Sequence, residues 1–596
     1  MLSHKTPTVV LLFWILVAGV YVWAAARQKS HVNLSAAAGG QYPYLMYAKG
    51  IAQDGLTGHF GDRNRMPLYP ALVAMIHHPD WDTFVDRSAW FSVFSSLAVL
   101  NGLGLLFLRV LTPWPAAVLT LTAAFIVFIP NASFVQPELL YYGLFFVSLV
   151  MLCRLIRRPT PGLAAAAGFV LGLAYLTKAS ALPTIAAYVA VALTQAVIRA
   201  VVGRNAGSGG PSEAAHATPG RIGLCAAVVL VVFLATVYPY ISNSRAKFGR
   251  YFYNVNSTFF MWCDNWAQAQ AFADRYHISE GYPDAPPDQI PGPLNYWRTH
   301  DAGRIVGRLT YGLRTLASMA YKGSYGKYLA AAIALAAIVA IRNAQRIRRW
   351  NIEDLAVGVF CALVLAAYTF VYAWYVPVAY GDRFILSLVL PVMFGAFWLA
   401  ERGWASDSPT QIFGRNIRPA DVAAGVLTLV VAVEAVVTTS TSLYKASDTF
   451  VRFYFNESYE RLRVGDLAEA ERGFVGVIRL DTSFAAAYRE LGAIYYKTGR
   501  FDEAVATLNR AVALDPTDAD THNSLGSALA QLGRIDAAIE SFEQATALAP
   551  EFASPWYNLG ALYFRRGNIA KAREAAQRLR ALEPELAEQL LQQIGR

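Results

Sequence analysis

Apolar runs of about 20 residues, punctuated by arginine, fill the first three quarters of this chain and leave few folds open to it. A helix needs roughly 20 residues to cross a hydrocarbon core about 30 Å thick. Eleven runs reach or approach that length, near 8–26, 89–110, 115–130, 135–153, 162–177, 181–199, 222–242, 326–341, 355–376, 384–400 and 421–440. Composition agrees: 55% of the 596 residues are hydrophobic and 15% charged, against about a quarter charged in soluble chains. Disorder and a purely cytosolic enzyme are excluded. Cys153, Cys225 and Cys361 lie inside apolar runs and Cys263 stands alone in a polar segment, which excludes a disulfide scaffold.

The formal charge of +10 is uneven. Residues 451–596 hold 17 Lys and Arg against 20 Asp and Glu, a balance of −3, which leaves +13 for the residues before them. The positive residues separate apolar runs, which is a membrane pattern and argues against nucleic acid as a partner. One set of alternate loops carries Lys5, Arg109, Arg154, Arg157, Arg158, Arg199, Arg204, Arg221, Arg342, Arg346, Arg348, Arg349, Arg402, Arg415 and Arg418, whereas the opposite short loops carry Lys178 and Arg383. Basic residues resist translocation. The pattern predicts a cytoplasmic N-terminus, a retained first anchor with no small-residue cleavage site at Gln28 to His31, and two long outer loops at 27–88 and 243–325. An odd number of spans puts everything after Ser440 outside. The Ala-rich, Cys-poor composition fits a bacterial inner membrane with its C-terminal part in the periplasm.

That C-terminal part repeats every 34 residues. Gly465, Gly499, Gly533 and Gly567 keep this spacing, as do Ala470, Ala504, Ala538 and Ala572, and Pro516, Pro550 and Pro584. The clearest unit runs Trp556, Leu559, Gly560, Tyr563, Gly567, Ala572, Pro584, which is the tetratricopeptide pattern of two antiparallel helices. The first unit is degenerate, with Glu457, Ser458 and Thr482 where Leu, Gly and Pro would stand. The expected fold class is therefore all-α: a polytopic helical module over 1–445, four repeats forming an α-solenoid over 453–588, and a tail at 589–596. A solenoid of this kind exposes a concave face to a protein or peptide ligand, or serves as a spacer.

Chemistry in a membrane protein acting outside gathers at outer loops and outer helix ends, where ionisable residues are candidates by default. The first outer loop contains Gly61-Asp62-Arg63-Asn64-Arg65-Met66-Pro67-Leu68-Tyr69-Pro70, two arginines around a carboxylate, suited to phosphate or to an interfacial anchor. Glu138, in Gln136-Pro137-Glu138, enters the apolar region at the outer end of the fourth span and needs a partner or a role. Lys178, at the tip between spans five and six, and Arg383, at the outer start of span ten, lie on the same side. Together they make a coherent site for an anionic lipid.

An N-terminal span, a long first loop with Arg65-Met66-Pro67-Leu68-Tyr69-Pro70, Pro137-Glu138, Gly172-Leu173-Ala174-Tyr175-Leu176-Thr177-Lys178 and Asp382-Arg383-Phe384, in this order, resemble the GT-C membrane glycosyltransferases, in particular the protein-mannosyltransferase and aminoarabinose-transferase group. The resemblance covers about residues 1–400. It implies transfer, with inversion, of a sugar from a polyprenyl-phosphate donor to a protein or glycolipid acceptor outside the cytoplasm. It also implies a first-loop carboxylate that activates the acceptor hydroxyl. The chain departs from the pattern there, because Gly40 stands before Tyr42 where an acid is expected. Asp62 acting with Glu138 is the favoured base. Asp54, Glu138 alone, or loss of activity are the alternatives. Arg63, Arg65, Lys178 and Arg383 are the phosphate candidates, joined by Arg245 and Arg250 at the end of span seven. A divalent metal has room near Glu138 and Asp62, although no His or Cys spacing argues for one and His77 and His78 are adjacent.

The second outer loop sets Trp262, Trp266, Tyr276 and Trp297 among polar residues, which fits a sugar-binding surface or, over most of its length, amphipathic helices lying on the membrane. Two other functions compete with sugar transfer from polyprenyl phosphate: an oligosaccharyl ligase or polymerase using lipid-diphosphate glycans, and a non-catalytic scaffold for envelope assembly.

Overall fold

The computed structural model describes residues 6–31, 33, 41–56, 66–205, 218–252, 254, 258–276, 282–322, 326–342, 351–378, 383–404, 410–412, 415–417, 426, 430, 433 and 448–595. Asp62, Arg63, Arg65 and Gly40 lie outside the described residues, as does almost all of the expected span 421–440. The fold is helical, with one short antiparallel hairpin pairing Thr410–Ile412 with Arg415–Ile417. Two compact units divide it: residues 1–26 with 43–442, and residues 27–42 with 443–596.

In the first unit the helices are α1 (Thr6–His31), α2 (Tyr42–Asp54), α3 (Leu68–Ala74), α4 (Trp81–Val110), α5 (Pro113–Leu121), α6 (Glu138–Arg157), α7 (Pro161–Thr177), α8 (Leu182–Asn205), α9 (Pro219–Phe248), α10 (Trp266–Tyr276), α11 (Pro293–Thr299), α12 (Ala302–Lys322), α13 (Gly326–Arg342), α14 (Ile352–Tyr375) and α15 (Arg383–Trp404). Five helical stretches among the described residues are long and apolar enough to cross a membrane: 81–110, 138–157, 179–201, 219–248 and 352–375. Shorter apolar helices occupy 113–128, 161–177 and 385–399. The expected runs at 8–26 and 326–341 fall in α1 and α13.

Small residues set the closest approach. Gly168 and Gly172, one turn apart on α7, face α9, where a Cβ on Gly168 would lie 2.6 Å from the Val229 carbonyl oxygen and one on Gly172 2.6 Å from Thr236 Cγ2. Without an apolar driving force between helices in lipid, such close backbone packing holds spans together. At one end of the bundle, Arg157 of α6 pairs with Asp354 and Arg199 of α8 with Glu353, both acids in the first turn of α14. Asp and Glu also suit a helix N-terminus. The C-terminal ends of α6 and α8 and the start of α14 therefore share one side, and Glu138 opens α6 at the other.

The second unit contains α16 (Asp448–Arg463), α17 (Leu467–Leu480), α18 (Ala485–Lys497), α19 (Phe501–Leu514), α20 (Ala519–Gln531), α21 (Ile535–Leu548), α22 (Ala553–Arg565), α23 (Ile569–Arg580) and α24 (Pro584–Ile594). Gly465, Gly499, Gly533 and Gly567 all adopt positive φ, between 71° and 83°. After each, an amide reaches back five residues: Asp466 to Arg461, Arg500 to Tyr495, Arg534 to Leu529, Asn568 to Tyr563. This closure satisfies carbonyls at the end of the first helix of each repeat. The four alanines of the repeat are fully buried.

The degenerate first repeat is compensated locally. Ser458 replaces the small residue of the first helix, is buried, and donates to the Tyr454 carbonyl at 2.7 Å, while the facing position on α17 is Gly473, where a Cβ would meet Ser458 Cβ at 2.7 Å. At the other end, α24 runs through the expected boundary at 588. Leu590 and Ile594 are buried in the repeat core, so residues 584–594 are a capping helix rather than a tail from 589. The unit also takes in the end of α1 and the first residue of α2: Arg479 Nη1 donates to the Ser30 carbonyl at 3.1 Å and the Arg461 guanidinium lies 3.8 Å from the Tyr42 ring centroid.

Candidate functional site

Glu138 follows Pro137 as the first residue of α6 and is 4% exposed. Lys178, just past the end of α7, has an extended backbone and holds its Nζ 3.7 Å from Glu138 Oε1 and 5.6 Å from the Tyr141 ring centroid. The fold thus brings these two sequence candidates together. Around them lies a polar cluster in an otherwise apolar bundle. The Tyr368 hydroxyl donates to the Ser180 carbonyl at 2.5 Å and meets Thr184 Oγ1 at 3.0 Å, and Tyr372 meets Ser387 at 3.2 Å. Tyr69, of α3, pairs with Ser92 at 2.7 Å. Burial pushes the Tyr69 hydroxyl well above its ordinary pKa, and the nearby Glu138 carboxylate adds to this.

One polar atom of this region, Glu138 Oε2, is buried with no hydrogen-bond partner. Native proteins satisfy nearly all such groups. The Tyr141 hydroxyl faces Ser180, Tyr368 and Tyr372, so these hydroxyls are neighbours of one another. The arrangement can accept a ligand that brings both donors and acceptors to the N-terminal end of α6, with Lys178 as its cation.

The other sequence candidates are distributed differently. Arg383 starts α15, whose Ser387 joins the cluster. Arg245 and Arg250 are exposed and turned to tyrosines: Arg245 bonds the Tyr251 hydroxyl, and Arg250 lies 4.8 Å from the Tyr282 ring centroid. Asp54 ends α2 at an exposed position. Among the described residues, no group of three or more His, Cys, Asp and Glu could hold a metal ion.

Sequence reading missed a second centre, in the segment between α9 and α14. Arg308 of α12 is 8% exposed and donates from Nε to the Trp374 carbonyl at 3.0 Å, from Nη1 to the Cys263 carbonyl at 2.7 Å, and from Nη2 to the Met261 carbonyl at 3.1 Å. Its guanidinium lies between the Trp374 and Tyr296 rings, at 4.8 and 5.1 Å. Asp264 accepts from the Tyr296 hydroxyl at 3.2 Å and faces His300 Nε2 at 3.2 Å, while His300 stacks on Tyr296 at 3.9 Å. The only sequence signal is the polar stripe Arg304, Arg308, Tyr311 on one face of α12. Burial pushes the Cys263 thiol up to about 11, so it stays protonated at neutral pH.

These features define an all-helical protein with membrane-length apolar helices, a buried polar centre among them, and a separate unit of helical hairpins. That unit is a tetratricopeptide-repeat domain: residues 494–533 and 526–567 match the TPR repeat, and residues 553–586 match the tetratricopeptide repeat. No curated protein matches the chain. Solved structures resemble it in part. A crystal structure of MamA protein is 29% identical over 22% of this chain and 73% of its own, with a TM-score of 0.22. The first TPR of Spaghetti (RPAP3), bound to an HSP90 peptide, is 26% identical over 19% of this chain and 93% of its own, at 0.19. A mutant Thermobaculum terrenum O-GlcNAc transferase is 27% identical over 22% of this chain, with a TM-score of 0.20, and the chain spans about a quarter (26%) of that protein's length.

Proposed function

We propose that this protein is a polytopic membrane glycosyltransferase of the GT-C kind, with about eleven spans. It transfers a sugar from a polyprenyl-phosphate donor to an acceptor outside the cytoplasm, and its tetratricopeptide repeats recruit a protein or peptide acceptor or partner. The observation that carries this reading is Glu138: a carboxylate almost fully buried at the outer end of a span, one oxygen beside Lys178 and the other unpartnered. An unsatisfied carboxylate is costly in that setting, and a bound acceptor hydroxyl supplies the missing donor. Lys178 is then the cation for the leaving phosphate, with Arg63, Arg65 and Arg383 as further phosphate ligands and Asp62 as the partner carboxylate.

The contacts of Ser30 with Arg479 and of Tyr42 with Arg461 support a common side for these residues and the repeats. With the basic residues cytoplasmic, that side is extracytoplasmic, and the N-terminus is inside.

Substituting Glu138→Gln and Asp62→Asn separately, with transfer followed from a polyprenyl-phosphate sugar in proteoliposomes, tests the assignment. Loss of a general base lowers turnover by about 10²–10⁴-fold, with donor binding retained. Unchanged turnover in both variants removes these residues from the chemistry. Gly40, in place of the acid of the resembling family, favours one second reading, a non-catalytic envelope scaffold. The absence of both transfer and donor binding in the unaltered protein would establish it.

A further inference from the structure

The centre built around Asp264 is open to solvent on one side. Its cavity, of about 480 Å³, is lined by Asp264, Tyr296, His300, Arg304, Arg308 and Tyr311 among others. That size lies within the roughly 300–1,000 Å³ of small-molecule sites.

The charges argue against an anion. Arg308 directs four of its five donors at three backbone carbonyls and the Tyr296 hydroxyl, so its main work is to hold the surrounding backbone in place. Arg304 is exposed and sits 3.7 Å from Asp301. The group presented to a ligand is instead the Asp264 carboxylate. Its side chain is 47% exposed; Oδ1 faces the Tyr296 hydroxyl and, at 3.7 Å, Arg308 Nη1, while Oδ2 faces His300. A carboxylate oxygen accepts two hydrogen bonds, which leaves acceptor sites directed at the cavity and already held in place. The Tyr311 ring, 57% exposed, lies seven residues beyond Arg304 and three beyond Arg308 on α12 and provides an apolar wall. A fixed acceptor beside an exposed aromatic face, without free concentrated positive charge, matches a neutral ring carrying hydroxyl groups.

We infer that this cavity is a saccharide subsite, in which Asp264 accepts sugar hydroxyls and Tyr311 stacks on the ring. Resting on the sugar-transfer reading, it holds a glycan acceptor ahead of the Glu138 centre. Asp264 is held by His300, Tyr296 and the charge of Arg308, which makes these positioning residues.

Saturation-transfer NMR on the full-length protein in nanodiscs, with methyl α-mannopyranoside and methyl β-glucopyranoside as probes and cyclohexanol and inorganic phosphate as controls, tests this. Ring protons of at least one glycoside should receive saturation. Asp264→Asn, which keeps the shape of the side chain, and Tyr311→Ala, at an exposed position, should each weaken binding at least about 10-fold, with Cys263 still protected from maleimide as evidence of folding. Phosphate should not compete. The inference is overturned if neither glycoside receives saturation, if both variants bind as the parent does, if cyclohexanol receives equal saturation, or if phosphate displaces the sugar. Glycoside binding without any sugar transfer would retain the subsite and remove the transferase reading. Transfer without glycoside binding would do the reverse.

Discussion

The two units handle charge in opposite ways. In the repeat unit, Arg500 pairs with Glu471, Arg534 with Asp502 at 3.3 Å, and Arg566 with Asp536, each pair linking a turn to the preceding repeat. The second and third of these pairs are more than half exposed, and such pairs contribute about 0–1 kcal/mol each. They recur, and where the period breaks at Asn568 a neighbouring arginine, Arg566, forms the link. In the membrane unit two charged centres are buried and single: Glu138 with Lys178, and Arg308 with its three carbonyls. Periodic, exposed contacts share the load among equivalents. A buried polar centre has no substitute, and its loss is felt in full.

Arg308→Leu is the strongest way to break this contrast. It uncovers the carbonyls of Met261, Cys263 and Trp374 and removes the cation 3.7 Å from Asp264. Unmaking a buried charged centre costs about 3–5 kcal/mol. Cys263 is fully buried against these bonds, so the expected readout is maleimide labelling of Cys263, slow in the parent and fast in the variant. Equal protection in both would show that aromatic packing alone closes the loop.

What was legible in the sequence divides along the same line. The repeats were readable because their contacts are local: the glycine that must adopt positive φ and the alanine that must fit between helices recur within 34 residues. Even so, the compensation of Ser458 by Gly473 was hidden, since it needs knowledge of which residues face each other. In the membrane unit, Glu138 and Lys178 could be singled out because charge at the end of an apolar run is conspicuous. The cluster that joins them draws Tyr69, Ser180, Tyr368 and Ser387 from four distant segments, and no spacing records that. Arg308 looked like any polar residue of an amphipathic helix, and the Asp264–His300 contact spans 36 residues.

A smaller effect sharpens the repeat side. A Cβ at Gly526 would lie 2.8 Å from Phe542 Cε1, within the close contact of α20 and α21. Gly526→Ala therefore overpacks the third repeat by about 1–3 kcal/mol, less than the loss of Arg308 because an aromatic ring can shift where carbonyl groups cannot find new donors. Hydrogen exchange of the full-length protein should report faster exchange in both helices and no change in α6 to α9. Unaltered exchange in α20 would mean that the ring yields freely.

The smallest effect concerns a charge in the repeat unit that is partly buried, and so tests whether exposure or location sets the difference. Asp518 caps α20, accepting from the Asp520 amide at 3.2 Å, Thr521 Oγ1 at 2.6 Å and Arg489 Nη1 at 2.9 Å. Burial alone would raise its carboxyl pKa, but the bonds from Thr521 and Arg489 outweigh burial and hold it below the usual carboxylate range. A carboxyl whose pKa is depressed by folding stabilises the fold above its unfolded value of about 4, and this contribution falls away as pH drops through the folded value. Asp518→Asn should therefore destabilise the second and third repeats by about 1 kcal/mol at pH 7, and the difference from the parent should shrink below pH 4. Hydrogen exchange of α18 to α20 at pH 7, compared with thermal unfolding at pH 7 and pH 3, measures both. A difference independent of pH would assign the effect to the geometry of the cap, while a loss as large as that of Arg308→Leu would mean that burial, and not membership of the membrane unit, makes a charge irreplaceable.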